Sequence, residues 1–205
     1  IGFCLVGSEM CIRDRLDDLR ELSRRFKRRT GLGADDWHPS MLDGISDAGA
    51  LAVLQVLEET ERTLVWPEQC ATIIVYLIPR SATKDRTIGL LPTLVRVWEW
   101  LRTPYLQEWC RAHPRSWDRT TSGRGAESAA WEVLLAHEAT DPAAAGDEEE
   151  AVATAIMDLV KAFEKVPLVQ LWREGLYWGF PPEILAVVMS IFTMARAMVV
   201  ENCYT

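Results

Sequence analysis

The alternation of apolar and polar positions predicts a chain of mostly helical segments, with one basic hairpin and one strand that ends in an aspartate. Leu16, Leu19, Leu22 and Phe26 recur at helical spacing with Arg and Lys between them, which is typical of an amphipathic helix. Further helices are predicted over 40–45, 126–139, 167–178 and 182–195, with Trp131, Leu134 and Leu135 on an apolar stripe of the second. Another helix is predicted from a cap at Ser46, with Leu51, Leu54 and Leu57 on one face. One more is predicted from Pro92 towards Cys110, with a kink at Pro104 and with Leu94, Val97, Trp98 and Leu101 facing a core. Strands are predicted over 70–78, 86–91, 151–157 and 197–204, the first two joined by a polar turn over 79–85.

This order of elements predicts an α+β domain, because the strands are too few for a closed barrel and too irregularly spaced for a doubly wound sheet. With 205 residues the chain suits one domain or two small ones, and it is long enough for a sizeable core. The longest apolar run, 184–200, contains Ser190, Thr193 and Arg196, so we expect no membrane span.

The first residues need a separate interpretation. Residues 5–15, LVGSEMCIRDR, resemble a sequencing-library adapter translated as protein. We therefore expect residues 1–15 to be foreign to the fold, and the chain to be a translated fragment with arbitrary ends. Without Cys4 and Cys11, three widely spaced cysteines remain (Cys70, Cys110 and Cys203), which form neither a metal-binding cluster nor an even disulfide framework and favour reduced thiols in an intracellular setting.

Charge is distributed unevenly along the chain. The net charge of −8 gives no global attraction to nucleic acid. Cations nevertheless cluster within 20–29 and recur within 111–124. For the first cluster, a solvated helix face and a phosphate-contacting face are equally typical interpretations.

Asp158 directly follows the predicted strand over 151–157. A carboxylate at the mouth of an apolar strand is costly unless it binds a metal or cation or joins a hydrogen-bond network. The plain alternative is that Asp158 caps a following helix. The predicted hairpin carries Arg80, Lys84 and Arg86 at its tip. Phosphoryl transfer needs carboxylates for metal ions and cations for a triphosphate, although a basic hairpin tip is also typical of a soluble turn.

Four segments in the order of the chain resemble the reverse transcriptases of non-LTR retrotransposons. They are GLGADDWHPSML (31–42), IIVYLIPRSATKDRTIGLLPTLVRVWEW (73–100), TSGRGAESAAWEVL (121–134) and AIMDLVKAFEKVP (155–167). The resemblance covers about 31–205 and implies the fingers and partial palm of a right-hand polymerase, truncated before the second catalytic motif. The implied activity is that of an RNA-directed DNA polymerase, a nucleotidyltransferase that uses Mg²⁺ or Mn²⁺.

The resemblance implies a role for each residue of the motif around Asp158. Asp158 would ligate the catalytic metal ions, with the carbonyl of Leu159 as a further ligand. Lys161 would lie near the incoming triphosphate. Phe163 would pack under the sugar and exclude a 2′-hydroxyl, which favours deoxynucleotides; its other interpretation is a core aromatic residue.

The other two motifs supply residues for the nucleotide and the template. The resemblance implies that Arg86 contacts the phosphates of the nucleotide, with Arg80 and Lys84 as further nucleotide-binding residues. Gly123 and Arg124 would belong to the path of the template strand.

The chain departs from the family pattern at several positions. Thr87 replaces a Pro after the hairpin Arg, Arg80 replaces a Lys, and Glu164 replaces an Asp. The two charge-conserving changes are mild, although Arg and Lys are not interchangeable. The family's aromatic-x-Asp-Asp hairpin does not occur, and no Asp follows Asp158. We therefore expect this piece to be inactive as a polymerase by itself.

The resemblance divides the chain into the adapter-like segment 1–15, a helical N-terminal segment 16–69, a fingers-like segment 70–150 and a partial palm 151–205. The implied partners are an RNA template, a DNA primer and dNTPs, with no membrane. A decayed or domesticated relative that binds RNA or protein without catalysis is the alternative, as is a helical interaction module whose motif matches are coincidental. The pattern does not distinguish a nuclear from a cytoplasmic location.

Overall fold

The computed structural model describes residues 16–81, 84–115, 125–139, 165–200 and 203–204, which form an α+β arrangement of helices and a small mixed sheet. The predicted fold class is therefore confirmed at this level. The helices are α1 (Leu16–Arg25), α2 (Met41–Gly44), α3 (Asp47–Thr63), α4 (Thr93–Ala112), α5 (Ala126–Ala139), α6 (Leu168–Tyr177) and α7 (Pro182–Phe192). The strands are β1 (Thr72–Ser81), β2 (Lys84–Leu90), β3 (Ala195–Val200) and β4 (Cys203–Tyr204).

The chain separates into two compact units. One comprises Ile1–Pro104 together with Trp172–Thr205, and the other comprises Tyr105–Leu171. The divisions at 69/70 and 150/151 that the resemblance implied stay a prediction. The sheet and its covering helices belong to the first unit, because a segment distant in sequence supplies β3. The predicted strand over 151–157 lies outside the described residues.

The sheet has the strand order β2-β1-β3-β4. β1 pairs antiparallel with β2, with Ile74 opposite Leu90, and parallel with β3, with Ile73 opposite Arg196. β3 and β4 form a second antiparallel pair. Strands β1 and β3 are both interior to the sheet, which suits their apolar and β-branched residues.

The hairpin is confirmed, but its strands are longer and its turn shorter than predicted. β1 continues through Ser81 and β2 begins at Lys84, so most of the segment predicted as a polar turn over 79–85 is paired backbone. The register shifts between Pro79 and Ser81. Polar side chains do not prevent pairing in an exposed ribbon, because the strands satisfy each other's backbone groups there. β1 begins at Thr72, two residues later than predicted, because Glu68–Cys70 forms a 3₁₀ turn.

The predicted helices agree with the structure more closely than their predicted faces do. Ser46 accepts a hydrogen bond from the Gly49 amide and caps α3 as expected. Leu57 of that helix is buried, but Leu51 is 48% exposed, and Ala50 and Thr60 take the inner positions instead. The predicted single strand over 197–204 is also revised, because the described residues of this segment belong to two strands, β3 and β4, which pair antiparallel.

Among the described residues, the buried apolar side chains come mainly from α1, α3, β1, α4 and α7. All four predicted core positions of α4 (Leu94, Val97, Trp98 and Leu101) are buried, and the helix continues through Pro104. α1 packs on α2 and α3, and α3 contacts α7. Within the described residues, none of the helices combines the length and hydrophobicity that a bilayer crossing requires.

A shared carboxylate connects α3 to α4. Glu61 Oε1 accepts hydrogen bonds from Trp98 Nε1 at 2.7 Å and from Arg102 Nε at 2.6 Å. Arg102 is only 3% exposed, so its charge is compensated inside the protein. Trp66 packs edge-on against Trp98 and donates its indole N–H to Ser190 Oγ at 3.0 Å, which extends the network to α7.

We predict that Glu61→Ala lowers the free energy of unfolding by about 2–4 kcal/mol, because the buried Arg102 guanidinium loses a charge-assisted partner. Urea unfolding followed by tryptophan fluorescence measures the change. Glu59→Ala is the matched control on the same helix, because Glu59 forms an ion pair with the exposed Arg62 and, among the described residues, with no buried cation. Equal destabilisation by the two substitutions would contradict the role of Glu61.

Candidate functional site

The structure describes only part of the predicted site. Six of its residues lie outside the described residues: Asp158, Leu159, Lys161, Phe163, Gly123 and Arg124. The hairpin residues are better placed for description. Arg80 lies in β1, and Lys84 and Arg86 lie in β2.

Arg86 ends an exposed face of the hairpin. It lies opposite Ile78, and the next pair on the same face is Tyr76 opposite Ile88. All four side chains are exposed, and no described carboxylate forms an ion pair with Arg86. Side chains opposite each other in an antiparallel pair share one face of the ribbon. The hairpin therefore presents a half-apolar surface with a guanidinium available for an anion.

A loop over 31–37 fixes the base of this hairpin to the first turn of α4. Asp35 Oδ2 accepts a hydrogen bond from the Thr93 amide at 2.6 Å, and Thr93 Oγ1 donates to the Trp37 carbonyl. Arg96 Nη1 donates to the Gly31 carbonyl at 2.8 Å. Asp35 thus acts as the helix cap of α4 although it lies 58 residues earlier in the chain.

Gly33 allows the closest approach within this loop. A Cβ atom at Gly33 would lie 2.5 Å from the Leu91 carbonyl oxygen and 2.6 Å from Pro92 Cα. Both atoms belong to backbone and cannot move aside as a flexible side chain could. The position therefore requires glycine because two backbone segments meet there. It joins two of the four family-like segments, 31–42 and 73–100, at the point where β2 leads into α4.

Burial changes the pKa values of two groups near Asp35, the Cys70 thiol and the Arg96 guanidinium. Burial raises the pKa of the Cys70 thiol to about 11, and the negative charge of Asp35 adds to this effect. Burial lowers the pKa of Arg96, while Asp35 and Glu99 oppose the change. Asp35 Oδ1 and Arg96 Nε are buried and make no hydrogen bond within the described protein. The loop therefore acts as a structural clamp at the start of α4, and the charge of Asp35 acts electrostatically on both Cys70 and Arg96.

A cavity of about 570 Å³ lies on the face of the sheet opposite to the exposed hairpin face with Arg86. Ile73 and Val75 of β1, residues of α7 and Arg196 of β3 form its walls, with Glu99 of α4 at the edge. The Glu99 side chain is exposed, yet desolvation by the surrounding protein raises the pKa of its carboxyl, an effect that Arg96 opposes. Thr87 and Gly89 line the cavity, whereas Arg86 and Ile88 belong to the exposed face. Successive side chains of a strand point to opposite faces, so the cavity and Arg86 lie on different faces of β2.

The described residues contain no group of three or more His, Cys, Asp and Glu side chains that could hold a metal ion. The predicted metal ligands Asp158 and Leu159 fall outside that search. The metal role of Asp158 therefore stays a prediction.

Sequence reasoning gave the hairpin cations a nucleotide-binding role that stays a prediction, and it missed the structural roles of Asp35 and Gly33. Both belong to the segment that resembles the family, yet their partners lie in α4 and in the preceding loop. A local pattern carries no signal for such a distant cap.

Comparison of the chain with models of known protein families gives no match, and comparison with curated proteins gives no significant match either.

We predict that Gly33→Ala lowers the free energy of unfolding by at least about 2 kcal/mol, because the new Cβ forces a backbone shift at Leu91 and Pro92. Gly44→Ala is the matched control, since a Cβ at Gly44 meets nothing within 4 Å. Urea unfolding of both variants by circular dichroism measures the difference. A Gly33→Ala protein as stable as the Gly44→Ala protein would show that the close approach is not a constraint.

We predict that Cys70 reacts with iodoacetamide at pH 8 about 10²-fold more slowly in the folded chain than in urea, because its raised pKa suppresses the thiolate. Its rate should rise with pH up to about 11. Peptide-resolved mass spectrometry measures the modification at each cysteine, and the less buried Cys110 serves as the internal reference. Equal folded and unfolded rates at Cys70 would contradict its burial.

Proposed function

We propose that the chain is the fingers and partial palm of a reverse transcriptase of the type found in non-LTR retrotransposons. Its parent enzyme would add dNTPs to the 3′-hydroxyl of a DNA primer under the direction of an RNA template. The chain would contribute the nucleotide-binding hairpin and the first metal-binding aspartate of that enzyme.

The observation that carries this proposal is the order of the four family-like segments together with the contact between two of them. Residues 31–42 and 73–100 resemble consecutive segments of the family. In the fold, Asp35 and Gly33 of the first segment bind at the end of β2 and the start of α4 in the second. A coincidental likeness of two unrelated stretches gives no reason for them to be packed together.

The exposed hairpin face suits the binding of a nucleotide triphosphate. Arg86 is exposed, and no described carboxylate forms an ion pair with it, so its guanidinium is available to a phosphate group. A guanidinium binds phosphate oxygens through a planar set of donors. Arg80 and Lys84, which lie in the distal parts of β1 and β2, are proposed to add positive charge nearby.

Asp158 is proposed to hold the divalent metal ions, with the carbonyl of Leu159 as a further ligand. Bound metal ions of this kind stabilise the attacking and leaving oxygens of phosphoryl transfer. Lys161 and Phe163 are proposed to contact the triphosphate and the sugar, and Gly123 and Arg124 the template. Because catalysis needs further carboxylates, we propose that the 205-residue chain does not polymerise alone.

Primer extension tests this function. We expect no extension by the 205-residue chain with Mg²⁺ and dNTPs, and extension by a protein that also includes the translated downstream sequence of the same transcript. In that longer protein, Asp158→Asn should lower the rate on the order of 10³-fold, since metal stabilisation contributes several kcal/mol. Arg86→Ala should raise the KM for dNTPs more than it lowers kcat.

Asp36→Asn is the matched control for Asp158→Asn. Asp36 is exposed and has a positive φ of 46°, a conformation that Asn also accepts. The Asp36→Asn substitution should leave the extension rate unchanged. If the longer protein binds RNA but extends no primer, the non-catalytic alternative replaces this proposal. Full activity of the Asp158→Asn protein would remove Asp158 from the site.

A further inference from the structure

The cations of the N-terminal basic segment fall into two groups that the sequence does not distinguish. The first group is neutralised by neighbouring carboxylates. Arg20 pairs with Asp47 at 2.6 Å, and Arg24 pairs with Asp43 at 2.9 Å. Arg25 pairs with Glu21 one turn earlier in α1. These three arginines hold α1 to its neighbours or to itself.

The second group is Lys27, Arg28 and Arg29, here called the Lys27–Arg29 cluster. All three side chains are exposed, and none forms an ion pair with a described carboxylate. They follow the end of α1 after a single residue, Phe26. Three adjacent positive charges are thus available to a partner on a chain whose net charge is −8.

The turn that carries the cluster is held in place at both ends. Phe26 packs edge-on against Trp100 of α4, with ring centroids 6.2 Å apart. The Gly31 carbonyl accepts a hydrogen bond from Arg96, one turn before Trp100. Within the turn, the amide and the hydroxyl of Thr30 both donate to the Lys27 carbonyl, at 2.9 and 2.6 Å. The cations are therefore presented from an ordered backbone, which lowers the entropic cost of binding.

Trp100 adds an aromatic surface beside these cations. Its side chain is 43% exposed although its edge contacts Phe26. A cationic turn next to an accessible indole matches the two parts of a single strand of nucleic acid, because phosphates pair with cations and an unstacked base stacks on an aromatic ring.

We propose that the Lys27–Arg29 cluster and Trp100 form a binding site for single-stranded nucleic acid. The cluster lies outside the four family-like segments, and Trp100 is the last residue of the segment 73–100. The site depends on its own side chains and not on polymerisation. It would hold a stretch of strand at the face of α4 next to the 31–37 loop.

The chemistry favours this partner over other anionic ones. An acidic peptide would use the cations but has no need of an indole. An anionic membrane surface is typically recognised by clusters of four to eight cations, whereas this turn carries three. A duplex keeps its bases stacked and would leave Trp100 unused. Each of these partners is therefore an outcome that the test must separate.

Fluorescence anisotropy with a labelled oligouridylate of about 12 nucleotides tests the cluster in the full 205-residue chain. The triple variant Lys27→Gln, Arg28→Gln, Arg29→Gln should weaken binding about tenfold and reduce the slope of log K against log salt by about 2, because each lost phosphate contact removes about 0.7. The control Arg24→Gln, Arg25→Gln, Arg62→Gln removes the same charge from ion-paired positions. It should change affinity by less than about threefold.

A second pair of variants tests the indole. Trp100→Ala should weaken binding to the oligonucleotide at least about fivefold through lost stacking, while Trp100→Phe keeps most of the affinity. Trp131→Ala is the control, since Trp131 is a 59% exposed tryptophan in α5. Circular dichroism of each variant identifies any loss of fold, and Trp100→Phe retains a ring against Phe26 if the alanine variant unfolds.

Equal losses in the two triple variants, no measurable binding by the unmodified chain, or tighter binding to duplex RNA or to vesicles with phosphatidylserine would overturn the site. A failure here leaves primer extension by the longer protein unaffected. Conversely, a chain that binds through the cluster while the longer protein extends no primer would retain the site and reject the polymerase.

Discussion

The hydrogen bond from the Thr93 amide to Asp35 is the constraint on which the arrangement of the first unit depends. The first turn of a helix leaves amide groups without partners, and an acceptor must be found for those that are buried. Here that acceptor comes from a loop that precedes α2, so the start of α4 is fixed to a distant part of the chain. α4 in turn carries Trp98 and Arg102 to Glu61, and Trp98 contacts Trp66. Part-buried hydrogen bonds and the contact between the two tryptophan rings therefore connect the 31–37 loop, through α4, to α3 and α7.

The same constraint determines where the candidate chemistry lies. β2 leads directly into the capped start of α4, so the hairpin emerges from a fixed base while its distal half projects with Arg86 exposed. Gly33 makes this packing possible because it brings the loop backbone against Leu91 and Pro92. The Lys27–Arg29 cluster belongs to the same construction, since Gly31 and Phe26 attach its turn to α4. Both cationic features are thus presented from a single helix and the segments attached to it.

Local features were predictable from the sequence, and long-range ones were not. The Ser46 cap and the inner face of α4 depend on residues within a few positions of each other, and both were correct. The parallel pairing of β1 with β3 joins residues more than 100 positions apart, and no periodicity encodes it. Leu51 illustrates a different limit. Its spacing fits an apolar stripe, but the neighbouring elements cover a different face of α3, so Ala50 and Thr60 are buried instead. The ion pairs show the same division. Glu21 lies one helical turn from Arg25, whereas Asp47 and Asp43, the partners of Arg20 and Arg24, belong to later helices. The nucleotide-binding role of the hairpin cations stays a prediction.

The central claim is our proposal that the exposed face of the hairpin with Arg86 binds a nucleotide. Photolabelling with an azido-substituted dATP in the presence of Mg²⁺, followed by peptide mapping, measures this binding directly. The account predicts adducts on 80–86 that unlabelled dNTP suppresses and that Arg86→Ala reduces. The absence of adducts on 80–86, or adducts there that competing dNTP leaves unchanged, would contradict it.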